Sequence, residues 1–517
     1  MTILVIQYLI LFLFLPFITL AAIFLFKKIL STPRLPSKAC LPPGPKPWPI
    51  IGSLFIMMRN KPNFSRWVHD TMSKMGCEIF CIRIGSVHVI VVTSPEIACE
   101  FLKKQDAIFV SRPTFLSAEI VSDGFCTAIS TPFNDQWKKM RRVFVSNILS
   151  SATLHWMHDK RAEEADHLVR YVYNLIKSND GIVNVRVVAQ HFCGNMMRNM
   201  VFSKRFFGKG NENGGPGPEE EEHMAGIFTI LKCSFNFCIS DYFPFLRRRI
   251  DLDGNEKRTR QAVQNARKYQ DIEVDTRIKQ WREGMRKEKV DLLDVLITLK
   301  NDKGIALLTS EEIKAEILEI MLASIDNPTN AIEWALLEMI NQPKTLLKAV
   351  QELDQAVGKD RLVQESDLHN LNYIKACVKE SFRLHPVSPF NVPHVSISET
   401  TVAGYFIPKG SHALLSRLGL GLNSRIWDEP LLFKPERHIK DDGSDVILND
   451  TNLHLLSFSI GRRGCPGVNL GSTMSFMLLA RLLQGFTWNS PSNTTYIELV
   501  EPLLAFAKPR LNEQLYI

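Results

Sequence analysis

The chain has 517 residues, 45% of them hydrophobic and 22% charged, which is too apolar for disorder to dominate and long enough for about three domains at roughly 150 residues each. With 62 Lys+Arg against 54 Asp+Glu the net charge is +8, mild for this length and without a polybasic tail, which argues against a nucleic-acid protein. Ten cysteines at irregular spacing do not form the disulfide framework of a short secreted chain.

Residues 3–26 are almost wholly apolar, with Gln7 the one strongly polar side chain. As a helix they reach roughly 36 Å, enough to cross a bilayer core with some tilt. Pro16 would kink that helix without forbidding it. A cleaved signal peptide would carry positive charge before a shorter run and a small-residue cleavage site after it. Here the positive charge follows, in Lys27, Lys28, Arg34 and Lys38, so residues 1–26 read as an anchor whose following domain faces the cytosol. The sequons at Asn63, Asn449 and Asn493 then go unused. Residues 27–50 are a basic and proline-rich linker. Pro42, Pro43, Pro45, Pro47 and Pro49 exclude helix and predict a stiff spacer that orients the body at the membrane.

Residues 51–517 read as one large body, mainly α with small β-sheets, because no repeat or composition shift divides them. Alternating, β-branched runs at 79–92 and 395–406 predict strands, and helical periodicity runs over 310–339 and 468–483. Residues 211–222 and 251–255 have loop composition.

The strongest chemical signal is Phe458-Ser-Ile-Gly461-Arg-Arg463-Gly464-Cys465-Pro-Gly467, just ahead of the helical run at 468. A thiolate at a helix start meets free N–H groups and a favourable dipole. The three glycines let the backbone curl under a flat cofactor, and Arg463 can meet an acidic group on its edge. A lone buried cysteine in a glycine-rich turn is the bland alternative. Against it, F-x-x-G-x-R-x-C-x-G resembles the haem-binding loop of cytochromes P-450. The resemblance implies the cytochrome P-450 fold and haem b, with Cys465 as axial thiolate and Phe458 and Arg463 as haem contacts. Such a thiolate pushes electron density onto iron and favours O–O cleavage.

Further motifs stand in the family's order. Glu380-Ser-Phe-Arg383 puts carboxylate and guanidinium on one helix face. Glu283-Gly-Met-Arg286 has the same spacing and reads as a solvated face. Pro435-Glu436-Arg437-His438 follows Glu380 at the expected place. By resemblance Glu380, Arg383 and Arg437 form a buried charge network behind the haem, with a structural role. Trp137 and Arg141 match W-x-x-x-R, whose residues hold a propionate. His394 falls where many relatives place another propionate-binding arginine; a core or surface histidine is its other reading. With the anchor and linker, the resemblance spans essentially the whole chain.

The family's distal helix usually carries A/G-G-x-D/E-T-T, whose acid and hydroxyl manage protons for oxygen activation. Here Asp326 keeps the acid, while Asn327 and Pro328 replace the threonine pair, with Thr329 following. Proline removes a donor and frees the Ser324 carbonyl, so the helix is expected to open into a notch for oxygen or water. A break with no chemical role is the alternative. Asp326-Asn327-Pro328-Thr329-Asn330-Ala331-Ile332-Glu333-Trp334, with Phe390-Asn391-Val392-Pro393-His394-Val395 and Pro435-Glu436-Arg437-His438, resembles the plant amino-acid N-monooxygenases.

That resemblance implies two hydroxylations of the α-nitrogen of an L-amino acid, then dehydration and decarboxylation to the aldoxime. Such oximes feed glucosinolate or cyanogenic glucoside metabolism. It also implies O₂, NADPH through a separate reductase, and an endoplasmic reticulum membrane. No Gly-rich nucleotide fingerprint is present, so electrons come from a partner. Lys138, Lys139, Arg141, Arg142 and Arg462 are its expected docking charges. By family analogy residues 111–131, 390–392 and 501–506 line the pocket, with Phe115, Phe125 and Phe390 facing an apolar side chain or packing the core. Gly421-Leu422-Asn423-Ser424 departs from the subgroup's G-R-N-P, and Phe133-Asn134 from Y-G or F-G, which bears on substrate preference. A carbon-hydroxylating cytochrome P-450, a haem-thiolate peroxide isomerase or dehydratase, and a non-catalytic haem scaffold are the rival readings.

Overall fold

The computed structural model describes residues 40–60, 63–249, 251–490 and 501–517. The expected anchor, its basic flank and the Asn493 sequon lie outside the described residues. Among the described residues no helix is long and apolar enough to cross a membrane.

Helices dominate, as the periodicity predicts. The helix Ser310–Asn341 runs through the centre and buries residues on every side. A helix surrounded in this way needs apolar residues all round. It starts at a capping box: the Thr309 hydroxyl accepts from Glu312 N–H at 3.2 Å, and Glu312 accepts from Thr309 N–H at 3.0 Å. Val185–Phe202, Asn255–Arg282, Asn372–Leu384 and Val468–Gly485 pack around it. The acidic stretch at 219–222, expected in a loop, instead forms the first turns of the helix Pro218–Phe235. Three carboxylates in that first turn complement the positive end of the helix.

The run at 79–92 is a hairpin, Ile79–Ile84 against Val87–Val92, turning at Gly85 with φ of 58°. Val87–Val92 pairs in parallel with His412–Leu415, which pairs antiparallel with His394–Val395. The run at 395–406 is not one strand. It ends at Val395 and resumes as the hairpin Thr400–Val402 and Tyr405–Ile407. Ala403 and Gly404 lie between, both at positive φ (48° and 80°), as a two-residue hairpin turn requires. A third sheet joins Ile182–Asn184 to Leu504–Pro509 and Phe486–Asn489, tying the first half of the body to its last strand.

Among the described residues of the proline-rich connector, 40–50, no helix forms, and this stretch is docked on the body. The Pro43 carbonyl accepts from Cys81 N–H at 2.8 Å, and a Cβ at Gly44 would stand 1.8 Å from the Cys81 carbonyl oxygen. From there on it is part of the body.

The charge network forms where the motifs place it. Glu380 and Arg383 have no exposed surface. Arg383 Nε and Nη2 donate to the two Glu380 oxygens at 2.8 and 2.7 Å. Arg437 Nε and the Lys434 backbone add bonds of 3.0 and 2.9 Å to Oε1, and His438 Nε2 adds one of 2.7 Å to Oε2. Burial by itself pushes the Glu380 carboxyl up, but these bonds outweigh it and hold it down to about 2. Burial keeps His438 below its ordinary value, so it donates as a neutral ring and the arginines carry the opposing charge. The look-alike pair is different: Glu283 is exposed past a helix end, while Arg286 pairs with Asp294 at 2.7 Å.

Glu380→Gln leaves buried Arg383 without its charge partner and is expected to cost about 3–5 kcal/mol in denaturant unfolding. Glu380 titrates lower folded than free, so its stabilisation is present above its ordinary value of about 4.3 and is lost as pH falls through about 2. The Gln variant should lack that acid limb.

Candidate active site

The cysteine loop is built by its own backbone. Cys465 N–H donates to the Phe458 carbonyl at 2.8 Å and Gly464 N–H to the Gly461 carbonyl at 3.0 Å. Gly461 has φ of 77°, and a Cβ there would stand 2.4 Å from the Leu102 carbonyl oxygen, so only glycine fits. Gly467, at φ −88°, caps the helix Val468–Gly485. Cys465 therefore lies ahead of the cap rather than within the helix start. Its side chain keeps exposed surface, yet burial pushes its thiol up, with the Gly467 backbone, Arg141 and Arg417 pulling it only partly back. The helix end alone does not make the thiolate expected from the sequence. A bound metal ion does, because a coordinating thiol is deprotonated outright.

Beside the loop sits a buried cluster of guanidinium groups. Arg463 donates from Nε to the Val110 carbonyl at 2.6 Å and from Nη2 to the Thr131 carbonyl at 2.8 Å, while its buried Nη1 has no partner. Its guanidinium lies 4.2 Å from the ring centroid of Trp137, whose buried Nε1 is also unpartnered. Arg141 donates to the Gly464 carbonyl at 2.7 Å. Trp137 and Arg141 share the helix Asp135–Val143, whose N-cap is Asn134, accepting from Trp137 N–H at 2.8 Å. The departure from glycine at 134 thus supplies a cap.

Arg112, which the sequence reading missed, completes the cluster. It is buried, donates to the Val392 and Pro393 carbonyls at 2.9 Å each, and leaves Nε unpartnered. Burial and then the charges of Arg112 and Arg141 push Arg463 down to about 8. Three gathered cations, with unpartnered donors on Arg112, Arg463 and Trp137, call for an anion. A flat, iron-holding cofactor with acidic groups on one edge, such as haem, fits this cluster and the adjacent sulfur.

His394 stands behind that cluster. Its Nδ1 bonds the Phe109 carbonyl at 2.8 Å, and burial and then Arg112 push it down to about 3. That bond fixes the ring of His394 beside Arg112.

On the central helix Ala323 is exposed amid buried neighbours, and Asn327, one turn on, lines a small cavity with Phe382, Pro386, Val387, Arg417 and residues 455–457. The helix does not open at Pro328: it continues from Ser310 to Asn341, although proline cannot donate to the Ser324 carbonyl. Packing on all sides outweighs the missing donor. Thr329 does not join the cavity: it is buried beside Cys193 of the neighbouring helix, with its hydroxyl unpartnered. Asp326 is half-buried near Arg186, and burial, partly offset by that cation, pushes it up to about 6. The rest of the motif is structural. Asn330 donates to the His385 carbonyl at 2.9 Å, Glu333 pairs with Arg186 at 2.7 Å, and Trp334 stacks on His385 with centroids 3.7 Å apart.

The expected pocket aromatics divide. Phe390 stacks on His69 at 5.8 Å, and Phe115 packs against His412 and Tyr242 at 5.6 and 6.1 Å, so both join packed clusters. Phe458 packs on Phe382 at 5.9 Å below the loop. Residues 127–130 are clamped by two buried carboxyls the sequence reading passed over. Glu319 accepts from Thr127, Ile129 and Ser130, and Glu316 from Ala128 N–H at 3.0 Å.

Comparison with known proteins agrees with this geometry. A family model described as Cytochrome P450 matches residues 42–516. The chain is 52% identical to the tyrosine N-monooxygenase of Sorghum bicolor, over 92% of this chain and 87% of that one. It is 54% identical to valine N-monooxygenase 1 of Manihot esculenta, over 93% and 89%. Tryptophan N-monooxygenase 1 of Arabidopsis thaliana is 48% identical, over 97% and 93%. Among solved structures, a zebra fish cytochrome P450 with abiraterone aligns with a TM-score of 0.68 at 20% identity, over 86% of this chain and 99% of that one. That likeness concerns the fold.

The Asp326 carboxyl titrates higher folded than free. Its contribution to stability is therefore present below its ordinary value of about 3.9 and is lost as pH rises through about 6. Asp326→Asn is expected to remove that loss, read as a flatter melting temperature between pH 4 and 6.5.

Proposed function

The chain belongs to the cytochrome P450 family, and within it we propose that this enzyme converts an L-amino acid to its aldoxime by two N-hydroxylations. The supporting observation is the joint one: relatives at 48–54% identity over nearly the whole chain are named N-monooxygenases of tyrosine, valine and tryptophan. The bound haem supplies oxygen activation, each O₂ taking two electrons that originate in NADPH. One oxygen atom of each O₂ goes to the substrate nitrogen and the other leaves as water. The N,N-dihydroxy amino acid then loses water and carbon dioxide to give the oxime, so one amino acid consumes two O₂ and two NADPH.

The chain's own residues divide this work. Cys465 holds the iron, and Phe458 packs beneath the loop. Arg463, Arg141, Trp137 and Arg112 hold the acidic edge, while Glu380, Arg383 and Arg437 keep the supporting turn in place. Of the residues at 326–329, Asp326 is the proton-handling candidate and Asn327 the one at the cavity. Pro328 lies within the continuous helix, and Thr329 belongs to packing.

We place the anchor at 1–26, the linker at 27–50 and the haem domain at 51–517, with the anchor in the endoplasmic reticulum membrane and the domain in the cytosol. The body offers apolar surface to a membrane: Trp48, Phe55 and Phe245 are each more than 60% exposed. They sit on segments that meet near the Gly85 turn, where Gly52 bridges Ile84 and the Tyr242 carbonyl approaches Gly85. The reductase face narrows from five basic residues to three. Lys139 is half-buried against Glu312 and Arg141 turns into the arginine cluster, while Lys138, Arg142 and Arg462 are exposed, Lys138 pairing with Asp135 at 2.9 Å and Arg462 with Asp106 at 3.5 Å.

Membrane-bound enzyme with an NADPH-dependent reductase, given protein amino acids and chain-elongated methionines, is expected to yield an aldoxime detectable by mass spectrometry. Carbon-oxidised products instead would favour the hydroxylase reading. Turnover without NADPH would favour the peroxide-consuming one. Reversing charge at Lys138 and Arg142 is expected to slow haem reduction several-fold at low salt, an effect that high salt erases.

A further inference from the structure

A half-buried arginine with a buried, unpartnered Nε remains after the haem-edge cluster is accounted for. Arg417 begins the short helix Arg417–Gly421, held by its backbone N–H on the Pro389 carbonyl at 2.9 Å. Among the described residues its guanidinium makes no hydrogen bond or ion pair, and its Nε is buried without a partner. Its side chain lines the cavity shared by Asn327 of the central helix, Val387 and Leu456. The Cys465 sulfur is the one charge that acts on it, whereas Arg463 feels both Arg112 and Arg141. No arginine of that cluster acts on Arg417, which shares the cavity with Asn327 of the distal helix, although the same sulfur also acts on Arg141.

From this placement we propose that Arg417 is the receptor for the α-carboxylate of the amino-acid substrate, with Asn327 beside it on the distal helix. This rests on the amino-acid N-monooxygenase reading. A buried cation without an acceptor is costly, and a planar fork pairs with a carboxylate through two parallel bonds. Anchoring the carboxylate at the cavity wall leaves the α-nitrogen, two bonds away along the substrate, free to face the iron side. It also makes the site reject amines that lack the carboxylate, because the guanidinium would then stay unpaired.

The test compares wild type, Arg417→Gln and Arg417→Lys as membrane-bound holoenzymes. Haem content and the carbon monoxide spectrum are measured first. Equilibrium dialysis then follows tyrosine, phenylalanine, tryptophan and valine beside the corresponding amines lacking the carboxylate. The expected result is that Arg417→Gln keeps its haem and weakens binding of the accepted amino acid about 10- to 100-fold, with amine binding unchanged. Arg417→Lys is expected to fall between, and carries the same reading should the Gln variant not accumulate. Unchanged amino-acid binding in the variants, with oxime still formed by wild type, would overturn the carboxylate assignment alone. Loss of haem in Arg417→Gln with retention in Arg417→Lys would assign the guanidinium to a propionate and overturn it too. If wild type neither binds amino acids nor forms oxime, the parent reading fails and this inference with it.

Discussion

A carboxylate with no exposed surface, Glu380, accepts five hydrogen bonds, and the iron site is assembled around that point. An isolated buried charge of this kind costs several kcal/mol unless every lone pair is used. The partners that use them come from two places in the chain: Arg383 on the same helix, and Lys434, Arg437 and His438 in the turn at 434–438. Arg383 in turn spends its remaining donors on the carbonyls of Gly421, Pro430 and Leu432. A Cβ at Gly421 would stand 2.3 Å from the Arg383 carbonyl oxygen, so the segment after Arg417 is pressed directly onto this helix. The network thus fixes the wall that carries Arg417 as well as the turn leading toward the cysteine loop.

Charge of the opposite sign organises the other side. Arg112, Arg141 and Arg463 gather from three distant stretches, and the buried Glu319 is the one acid that acts on Arg463. Glu319 is largely occupied with residues 127–130, and burial pushes its carboxyl up. It acts through position: by holding 127–130 it fixes Thr131, whose carbonyl takes an Arg463 donor. The cluster keeps a net positive demand that a cofactor edge can meet.

Legibility followed sequence spacing. Cys465, Arg463, Trp137, Arg141, Glu380, Arg383 and Arg437 were readable because each belongs to a short motif; the structure gathers Arg463, Trp137 and Arg141 beside the cysteine loop and joins Glu380, Arg383 and Arg437 in one network. The central helix was readable from its period and its capping box. Arg112, Arg417 and Glu319 were not, because no local pattern distinguishes them; Arg112 meets Val392 only across 280 residues of chain. The notch at Pro328 failed for a related reason. A proline costs a solvated helix about 3 kcal/mol or more, but this helix is buried on all sides and its packing holds the axis. Thr329 was drawn into the site by its place in the motif, whereas helical geometry turns it toward Cys193. His394 stood in an arginine's place by alignment, yet its Nδ1 was already committed to Phe109.

Nitrogen chemistry gives the separation of the arginines a second consequence. An α-amine is oxidised through its lone pair, so the ammonium form must lose its proton on entering. Burial disfavours the charged form, and a nearby cation disfavours it further. With the cluster at Arg112, Arg141 and Arg463 satisfied by acidic groups of a cofactor, Arg417 remains the cation facing the cavity. The same guanidinium that would hold a carboxylate therefore biases the neighbouring nitrogen toward its neutral form. Had Arg417 lain within the propionate-side cluster, its charge would be shared with the cofactor and this bias would be weakened. On that proposal one residue beside Asn327 would serve both orientation and proton loss.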